Sequence, residues 1–369
     1  MFVNVDWFFF SHRLPIAQAA KKNNIDMTVY TEFTKFHNSK QIDGFTLLSS
    51  PLKRNSKSIF YFILEFLRLF KIIKNEKPNI IHAVSIKPIL VLGSIARLTS
   101  TPFIGSISGL GPAFSSDTLF KKARLWFILR FLKFAFSGTD VRIICQNTND
   151  RDVLLKNELS SIKNVDIISG SGVDVENFSP SKKQRIPEEY ILMSSRVLLD
   201  KGIKEYCLAA DIVREKFGNK VKFKLSGPID KPSPTSISED EIFELTNKYN
   251  VDYLGNRDDM PELLASALMF VLPSYYPEGL PKVLLEAAAS GLPIITTNHP
   301  GCRDAIIDNE TGFLVPPKDH IALANAITAI LSDRFLMSKM SKKARSFAEL
   351  SFKDTAVVTK HYSLYKELS

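Results

Sequence analysis

Two glutamates stand eight residues apart in "VLPSYYPEGLPKVLLEAAASGLPIITTN": Glu278 in a Pro-Glu-Gly-Leu-Pro stretch and Glu286 in a run of small residues. A buried strand is expected to end at Pro273, and a loop to carry Glu278 and Gly279. Pro281 is then expected in the first turn of a helix, where its missing N–H costs nothing. The backbone amides of residues 280 to 283 would point out of that helix start, a ready site for phosphate. The spacing puts Glu286 about a turn and a half into the helix, roughly 80° from Glu278 in helical phase. A carboxylate in such a place accepts a pair of hydrogen bonds from the vicinal hydroxyls of a ribose or a hexose. For Glu286 taken alone a solvated surface charge is the ordinary reading. The prolines and small residues around it argue against that.

The second group lies in "SSRVLLDKGIKEY", where Arg196 and Lys201 flank a short loop and Gly202 precedes a helix. Two cations beside free helix-start amides suit a diphosphate, through charge-assisted bonds from both side chains. Arg-x4-Lys by itself is weak evidence. Its position, at the carboxyl end of a strand in the same sheet as the Glu278 strand, strengthens it.

The elements that must carry these groups follow from the alternation of short apolar runs with longer helical patterns, the signature of strands feeding crossover helices in a parallel sheet. Strand candidates in the first half are 2–5, 26–30, 79–84, 102–107, 141–146 and 165–169. In the second half they are 190–195, 220–227, 251–255, 268–274 and 292–298. Between them "SPSKKQRIPEE" (179–189) is polar, charged and bounded by prolines, and reads as a linker. The expected fold is α/β: two Rossmann-like domains, 1–179 and 180–351, facing one another across a cleft, each offering the carboxyl ends of its strands. The tail 352–369 is expected to form a helix that packs back on the first domain. At 369 residues two domains are the ordinary expectation.

The net charge of +9 is confined to one half: residues 1 to 180 hold 23 Lys and Arg against 14 Asp and Glu, and the remainder holds 25 of each. An anionic membrane or nucleic acid would each suit that asymmetry. The placement favours a membrane. "LFKKARLWFILRFLKFAF" (119–136) mixes five basic residues and no acid with Trp126, Phe127, Phe131, Phe134 and Phe136, as a helix lying in a lipid interface would. In "KRNSKSIFYFILEFLRLFKIIK" (53–74), Ile59, Ile63, Phe66, Leu67, Phe70 and Ile73 share one helical stripe. Phe62, Leu64 and Leu69 widen it, so both a buried helix and an interfacial one remain open there. The uncharged run from Trp7 to Ser11 is far shorter than the roughly 18 residues a spanning helix needs. It has no basic segment before it and no cleavage pattern after it, as a secretory signal would. Cys145, Cys207 and Cys302 are odd in number and far apart, which points to a reducing compartment, with no disulfide framework and no metal site.

Taken together, "ILMSSRVLLDKGIKEY", "VDYLGNRDDMPELLASALMFVLPSYYPEGLPKVLLEAAASGLPIITTNHPGCRDAIIDNETGFLVPP" and "DWFFFSHRLPIAQAA" resemble the retaining family 4 glycosyltransferases of the two-Rossmann, GT-B architecture. The likeness is greatest to bacterial enzymes that extend polyprenyl-diphosphate-linked saccharides. It implies that Glu278 contacts hydroxyls of the donor sugar and that Glu286 binds the ribose. Arg196 and Lys201 would hold the diphosphate and stabilise the leaving group without a metal, aided by amides of Gly279, Leu280, Pro281 and Lys282, of which proline contributes position only. Gly227, Asn256 and Arg257 complete the implied nucleotide-binding set. On the acceptor side the resemblance implicates Arg13 and His12 in "WFFFSHR", read as a loop that follows the first strand and hands over to a helix at Pro15. Ser108, Gly109 and Gly111 belong to "GSISGLGPAF", whose glycines, with Gly105, suit a loop that closes over a ligand. Many relatives carry a histidine where this chain has Ser108. The first loop lacks the usual glycine-rich form, and its aromatics Trp7 to Phe10 would stack on a sugar or pack beneath the loop. His82 reads as a packed core residue.

The function expected is transfer of a sugar from a nucleotide diphosphate donor, UDP-linked, to a lipid-diphosphate-linked saccharide with retention. No cofactor or metal is expected, since no Asp-x-Asp pair falls in the nucleotide site. The partners are the nucleotide sugar, the lipid-linked acceptor and an anionic membrane surface, with no nucleic acid. The chain is expected in the cytoplasm, peripherally attached to the inner face of the membrane. A sugar-nucleotide epimerase of the same architecture is the enzymatic alternative. A nucleic-acid-binding protein is the other, although no helix-turn-helix, zinc-finger or RNA-recognition signature is present.

Overall fold

Phe2, Val3 and Val5 alternate between two apolar layers, Phe2 joining the cluster on one side of a sheet and Val3 the cluster on the other. The computed structural model describes residues 1–34, 41, 42, 45–52, 59–114, 119–182, 188–231 and 233–369; the side chains of 41, 42, 45, 59, 112, 113, 119–121 and 182 lie outside the description. By contacts the chain divides into two units, Met1–Ser171 with Thr355–Ser369, and Gly172–Asp354.

The first unit holds, in chain order, β1 (Phe2–Val5), α1 (Asp6–His12), α2 (Leu14–Lys22), β2 (Thr28–Glu32), β3 (Gln41–Ile42), β4 (Phe45–Ser49) and α3 (Ile59–Glu76). It continues with β5 (Ile81–Val84), α4 (Ile86–Thr99), β6 (Phe103–Ile107), α5 (Leu119–Ala135), β7 (Val141–Cys145), α6 (Thr148–Lys156) and β8 (Val165–Ile167). The sheet order is β3-β4-β2-β1-β5-β6-β7-β8, parallel except for the β3–β4 pair, and the order reverses between β1 and β5. Such a switch point is where open α/β sheets take ligands.

The second unit holds β9 (Glu189–Ser194), α7 (Ile203–Phe217), β10 (Val221–Ser226), α8 (Glu239–Lys248), β11 (Asp252–Tyr253) and α9 (Met260–Ser266). Then come β12 (Met269–Leu272), α10 (Lys282–Ala289), β13 (Ile294–Thr297), β14 (Gly312–Val315), α11 (His320–Ser332) and α12 (Arg334–Ser351). Its sheet runs β11-β10-β9-β12-β13-β14, all parallel, with the switch between β9 and β12. The last helix, α13 (Asp354–Leu368), places Val357, Leu364 and Tyr365 in the first unit's core with Phe9, Ile16 and Val84.

Several sequence expectations change. The aromatic run is helix, not loop: α1 follows β1 directly. Asp6 stands in its first turn, where a carboxylate favours the helix start, and its Oδ1 accepts the Trp7 amide at 2.8 Å. Phe9 points fully inward, a burial of about 1.5 to 3 kcal/mol. Three strands, β3, β4 and β14, are not among the strand candidates; only β3, of two residues, is too short to show a period. The division between units falls at Ser171/Gly172, ahead of the polar stretch 179–189, because Val173 and Val175 already bury in the second core. Residues 183–187 of that stretch lie outside the described residues. Gly105 lies within β6, not in a loop, and a side chain there would press on Phe136 at 3.2 Å.

The apolar stripe of α3 also differs from the sequence reading. Leu69 and Ile73 are buried, with Phe62, Phe66 and Phe70 packed against the core, whereas Ile63 and Leu67 face outward beside Phe60 and Tyr61. In α5, Leu132 and Ala135 are buried, and Trp126, Phe127, Phe131 and Phe134 are exposed among Lys122, Arg124, Arg130 and Lys133. Both helices pack on α4, and both leave bulky apolar side chains exposed.

Candidate functional site

Lys201 and Glu278 come from loops 77 residues apart, and their meeting is set by backbone. Gly202, with φ +79, closes the turn after β9 so tightly that an added Cβ would lie 2.3 Å from the Pro273 carbonyl oxygen at the end of β12. The two loops are then tied by hydrogen bonds. The Tyr275 amide donates to Asp200 O at 2.9 Å, and the Tyr275 hydroxyl donates to Leu199 O at 3.0 Å. Lys201, buried at 5% exposure, donates from Nζ to Glu278 Oε1. Ser274 Oγ donates to the same oxygen at 3.3 Å. A buried ammonium demands such a partner.

Arg196, at the end of β9, donates from Nη1 to Asp230 Oδ2 in the loop after β10. Burial disfavours its charge, yet the bond to Asp230, with Tyr276 and Glu278 nearby, holds its pKa above the ordinary value. The ring of Tyr276 lies beside both cations, 5.7 Å from Arg196 Cζ and 5.1 Å from Lys201 Nζ. Arg196, Lys201 and Glu278 therefore share one place at the carboxyl ends of β9 and β12, beside that sheet's switch point.

Glu286 sits within α10, its side chain 15% exposed, with Lys282 Nζ 3.6 Å from its Oε1. Burial pushes its carboxyl pKa up, and Lys282 offsets part of that. Pro281 is the residue that caps α10, with extended backbone, and Lys282 opens the helix; the expected placement of Pro281 inside the first turn is thus one residue out. Gly279 and Leu280 are buried in the approach to it. The first turn of α10 aims its amides outward, away from the helix body. Gly227, at φ +142, passes so close to Ser195 that an added Cβ would meet the Ser195 carbonyl oxygen at 1.7 Å. Its amide donates to Gly255 O at 2.8 Å, which brings the next loop alongside. Asn256 and Arg257, in that loop, are exposed, and Arg257 is engaged by Asp259 through two bonds of 2.9 and 2.6 Å.

In the first unit the expected acceptor residues fall into two environments. Arg13, expected to reach a ligand on the acceptor side, is instead 2% exposed, packed near Phe8, with Nε unpartnered among the described residues. Burial lowers its pKa to about 10, so it stays charged. His82 lies nearby, bonded through Nδ1 to the Tyr365 hydroxyl at 2.6 Å and through Nε2 to Ser106 Oγ at 2.7 Å. Its pKa is driven well below 6.5, by burial first and then by His361 and Arg13. His12 stacks on Phe8 with centroids 4.2 Å apart, and its Nδ1 is 2.6 Å from Ser11 Oγ. Beyond β6, Ser108 Oγ is 3.3 Å from Ser85 Oγ, and Gly109 and Gly111 take φ values of +104 and +61. Ser85 itself has φ +78, a strained conformation of the kind that collects at functional sites.

Asp230, Ser274 and Tyr276 were not among the residues singled out from the sequence. A signal existed for Tyr276 and Ser274, which flank the glutamate motif. Asp230, in a polar loop, had none.

A family model described as "Glycosyl transferases group 1" matches residues 174–347, and one described as "Glycosyl transferase 4-like" matches residues 1–147. The chain is 28% identical, over 96% of its length and 94% of the relative's, to the N,N'-diacetylbacillosaminyl-diphospho-undecaprenol alpha-1,3-N-acetylgalactosaminyltransferase of Campylobacter jejuni. It is 27% identical, over 81% of its length and 78% of the relative's, to the UDP-Gal:alpha-D-GlcNAc-diphosphoundecaprenol alpha-1,3-galactosyltransferase of Escherichia coli. Among solved structures, sucrose-phosphate synthase of Thermosynechococcus elongatus superposes with a TM-score of 0.80 at 22% identity, covering 96% of this chain and 91% of that one, which shows the fold. Both units are matched by glycosyltransferase family models, and the chain is a glycosyltransferase similar to those of family 4.

Proposed function

We propose that this glycosyltransferase moves a hexosyl or N-acetylhexosaminyl group from a UDP-linked donor to a saccharide carried on a polyprenyl diphosphate, with retention at the anomeric carbon. One observation carries the reading: Arg196 and Lys201 stand together with Glu278 at the carboxyl ends of β9 and β12. Two cations suit a nucleoside diphosphate, and a carboxylate beside them suits the hydroxyls of the attached sugar. As the bond from the anomeric carbon to the diphosphate oxygen breaks, negative charge grows on that oxygen. Arg196 and Lys201 stabilise it, with amides of the α10 first turn, and no metal is required for that step. The acceptor hydroxyl attacks from the same face and gives up its proton to the departing phosphate oxygen. Glu286 binds the ribose. The nature of the acceptor and donor is supported by the names of the two relatives, one an N-acetylgalactosaminyltransferase and the other a UDP-galactose-dependent enzyme, both acting on diphosphoundecaprenol-linked sugars. They give no support to an epimerase or a nucleic-acid-binding protein.

A second observation favours peripheral attachment to the inner membrane surface. The outer faces of α3 and α5 combine Phe60, Ile63, Leu67, Trp126, Phe127 and Phe131 with exposed lysines and arginines. Bulky apolar groups would enter the interface while the cations meet lipid phosphates. Among the described residues no single helix is long and apolar enough to cross a membrane. The bent pair α11 and α12 passes a length and composition test, but Leu323, Ala324, Ile327 and Ile330 already bury in the second core.

The test is a screen of nucleotide sugars with a lipid-diphosphate-linked acceptor, with and without EDTA, and analysis of the product's linkage. Transfer from a UDP-sugar with an α-linked product, persisting in EDTA, is the expected result. A free epimerised nucleotide sugar would overturn the function. Loss of transfer restored by magnesium or manganese would overturn the metal-free leaving-group step.

A further inference from the structure

Tyr276 touches both cations of the site at once, with Lys201 Nζ 5.1 Å and Arg196 Cζ 5.7 Å from its ring centroid. Either distance is within the range of a cation–π attraction. The ring is held from its own backbone. The Tyr276 amide donates to Ser274 Oγ at 3.3 Å, and Ser274 Oγ donates in turn to Glu278 Oε1 at 3.3 Å. The neighbouring Tyr275 is bonded to Asp200 and Leu199, in the loop that carries Lys201. The Tyr276 hydroxyl has no hydrogen-bond partner among the described residues, so the contact that orders this side chain is made by the ring face.

Two like charges close together repel, and long side chains relieve the repulsion by swinging apart. Asp230 and Glu278 each restrain one cation, but from separate loops, so they fix neither the distance nor the direction between the two. A single aromatic ring attracts both and offers the common reference that the carboxylates lack. We propose that Tyr276 is a positioning residue that holds Arg196 and Lys201 as a pair spaced for the two phosphates of the donor. This rests on the reading that these two cations hold the diphosphate. The side chain acts through them, and its effect should be confined to the phosphate part of the nucleotide.

The test measures UDP and uridine binding to the full chain by calorimetry and competition, for the wild type, Tyr276→Phe, Tyr276→Leu and Arg196→Ala. The expected result is a roughly five- to tenfold weaker affinity for UDP in Tyr276→Leu, with uridine affinity unchanged and Tyr276→Phe within about twofold of wild type. Should Tyr276→Leu fail to fold, Tyr276→Met, similar in reach but without a ring, replaces it. Unchanged UDP affinity in the ringless variant, while Arg196→Ala weakens it, overturns the role of Tyr276 and leaves the diphosphate reading standing. Equal loss in Tyr276→Phe, or an equal loss of uridine binding, also overturns it, since the hydroxyl or the general fold of the loop would then be responsible. Unchanged UDP affinity in Arg196→Ala overturns the diphosphate reading itself, and the proposal with it.

Discussion

Lys201 Nζ donates to Glu278 Oε1, which joins the residue proposed to hold the donor's diphosphate to the one proposed to face its sugar. The pair links the loop after β9 to the loop after β12, the two strands flanking the second sheet's switch point. A ligand that draws Lys201 toward a phosphate also changes the charge balance at Glu278. On the proposed roles of the two residues, this contact would couple phosphate binding to sugar orientation.

Arg196→Ala and Lys201→Ala are each expected to weaken UDP-sugar binding by about 1.5 to 3 kcal/mol, the worth of a charge-assisted bond. The Lys201 variant should also lose turnover beyond that, because Glu278 is left without its cation. Calorimetry and steady-state rates measure the two effects. Unchanged donor affinity in both variants would remove the assignment of this loop.

The two glutamates should separate in their effects. Glu278→Gln is expected to reduce kcat at least tenfold with UDP affinity nearly unchanged, because its carboxylate bonds Lys201 and is proposed to face the transferring sugar. Glu286→Ala is expected to raise the dissociation constant of UDP itself, since the proposed ribose contact would be lost. Equal loss of UDP binding in both, with the rate of the bound complex kept, would show the division of roles to be wrong.

Replacing Lys122, Arg124 and Arg130 by Gln should release the protein from anionic liposomes, at about 1 kcal/mol for each cation near the surface. Phe127→Ser should weaken binding to neutral liposomes as well, because Phe127 is exposed at 57%. The side chain of Lys121, the other cation of this helix start, lies outside the described residues. Sedimentation at low and high salt gives the readout, with transfer to a short soluble acceptor as the control for folding. Liposome binding that ignores all four substitutions would place the membrane contact elsewhere.

The first unit should lose stability as pH falls below about 6.5, the unfolded value of a histidine. Burial pushes His361 down to about 3, with Arg13 adding to the effect, and drives His82 well below its usual range. The Met1 amino group, lowered to about 5 by burial, acts in the same direction at higher pH. Both histidines are neutral when folded, so below 6.5 only the unfolded chain takes up their protons. Each can then remove up to about 1.4 kcal/mol per pH unit until its folded value is reached. Urea unfolding from pH 7 to 5 measures the slope, which should flatten in His361→Gln. An equal slope in that variant would mean that other groups govern the acid limb.

Much of the architecture was legible because it is local. Runs such as "YILMSS" and "KVKFKLSG" announce buried parallel strands by composition alone, and the spacing from Glu278 to Glu286 follows from helix geometry. The breaks came where a local pattern admits two structures. "DWFFF" carries enough aromatic β-propensity to suit an extended chain or a loop end, and only Asp6 at a helix start and Phe9 entering the core decide for helix. The outward side of α3 was equally open, since apolar residues surround that helix and the position of α4 chooses which of them bury.

The amino-acid sequence by itself determined the strand-helix alternation, the concentration of basic charge in the first half and the residue types able to bind a sugar diphosphate. The tertiary structure decided which of those residues meet. Lys201 reaches Glu278 because Gly202 lets one loop lie against Pro273, and Arg196 reaches Asp230 because β9 and β10 are neighbours in the sheet. Arg13 is a core residue because α13, from the far end of the chain, brings Tyr365 and His361 over the first strand's helices. Each of these is a contact between segments distant in sequence. Periodicity and propensity report on a residue's neighbours along the chain, and burial and charge pairing depend on what folds against it from elsewhere.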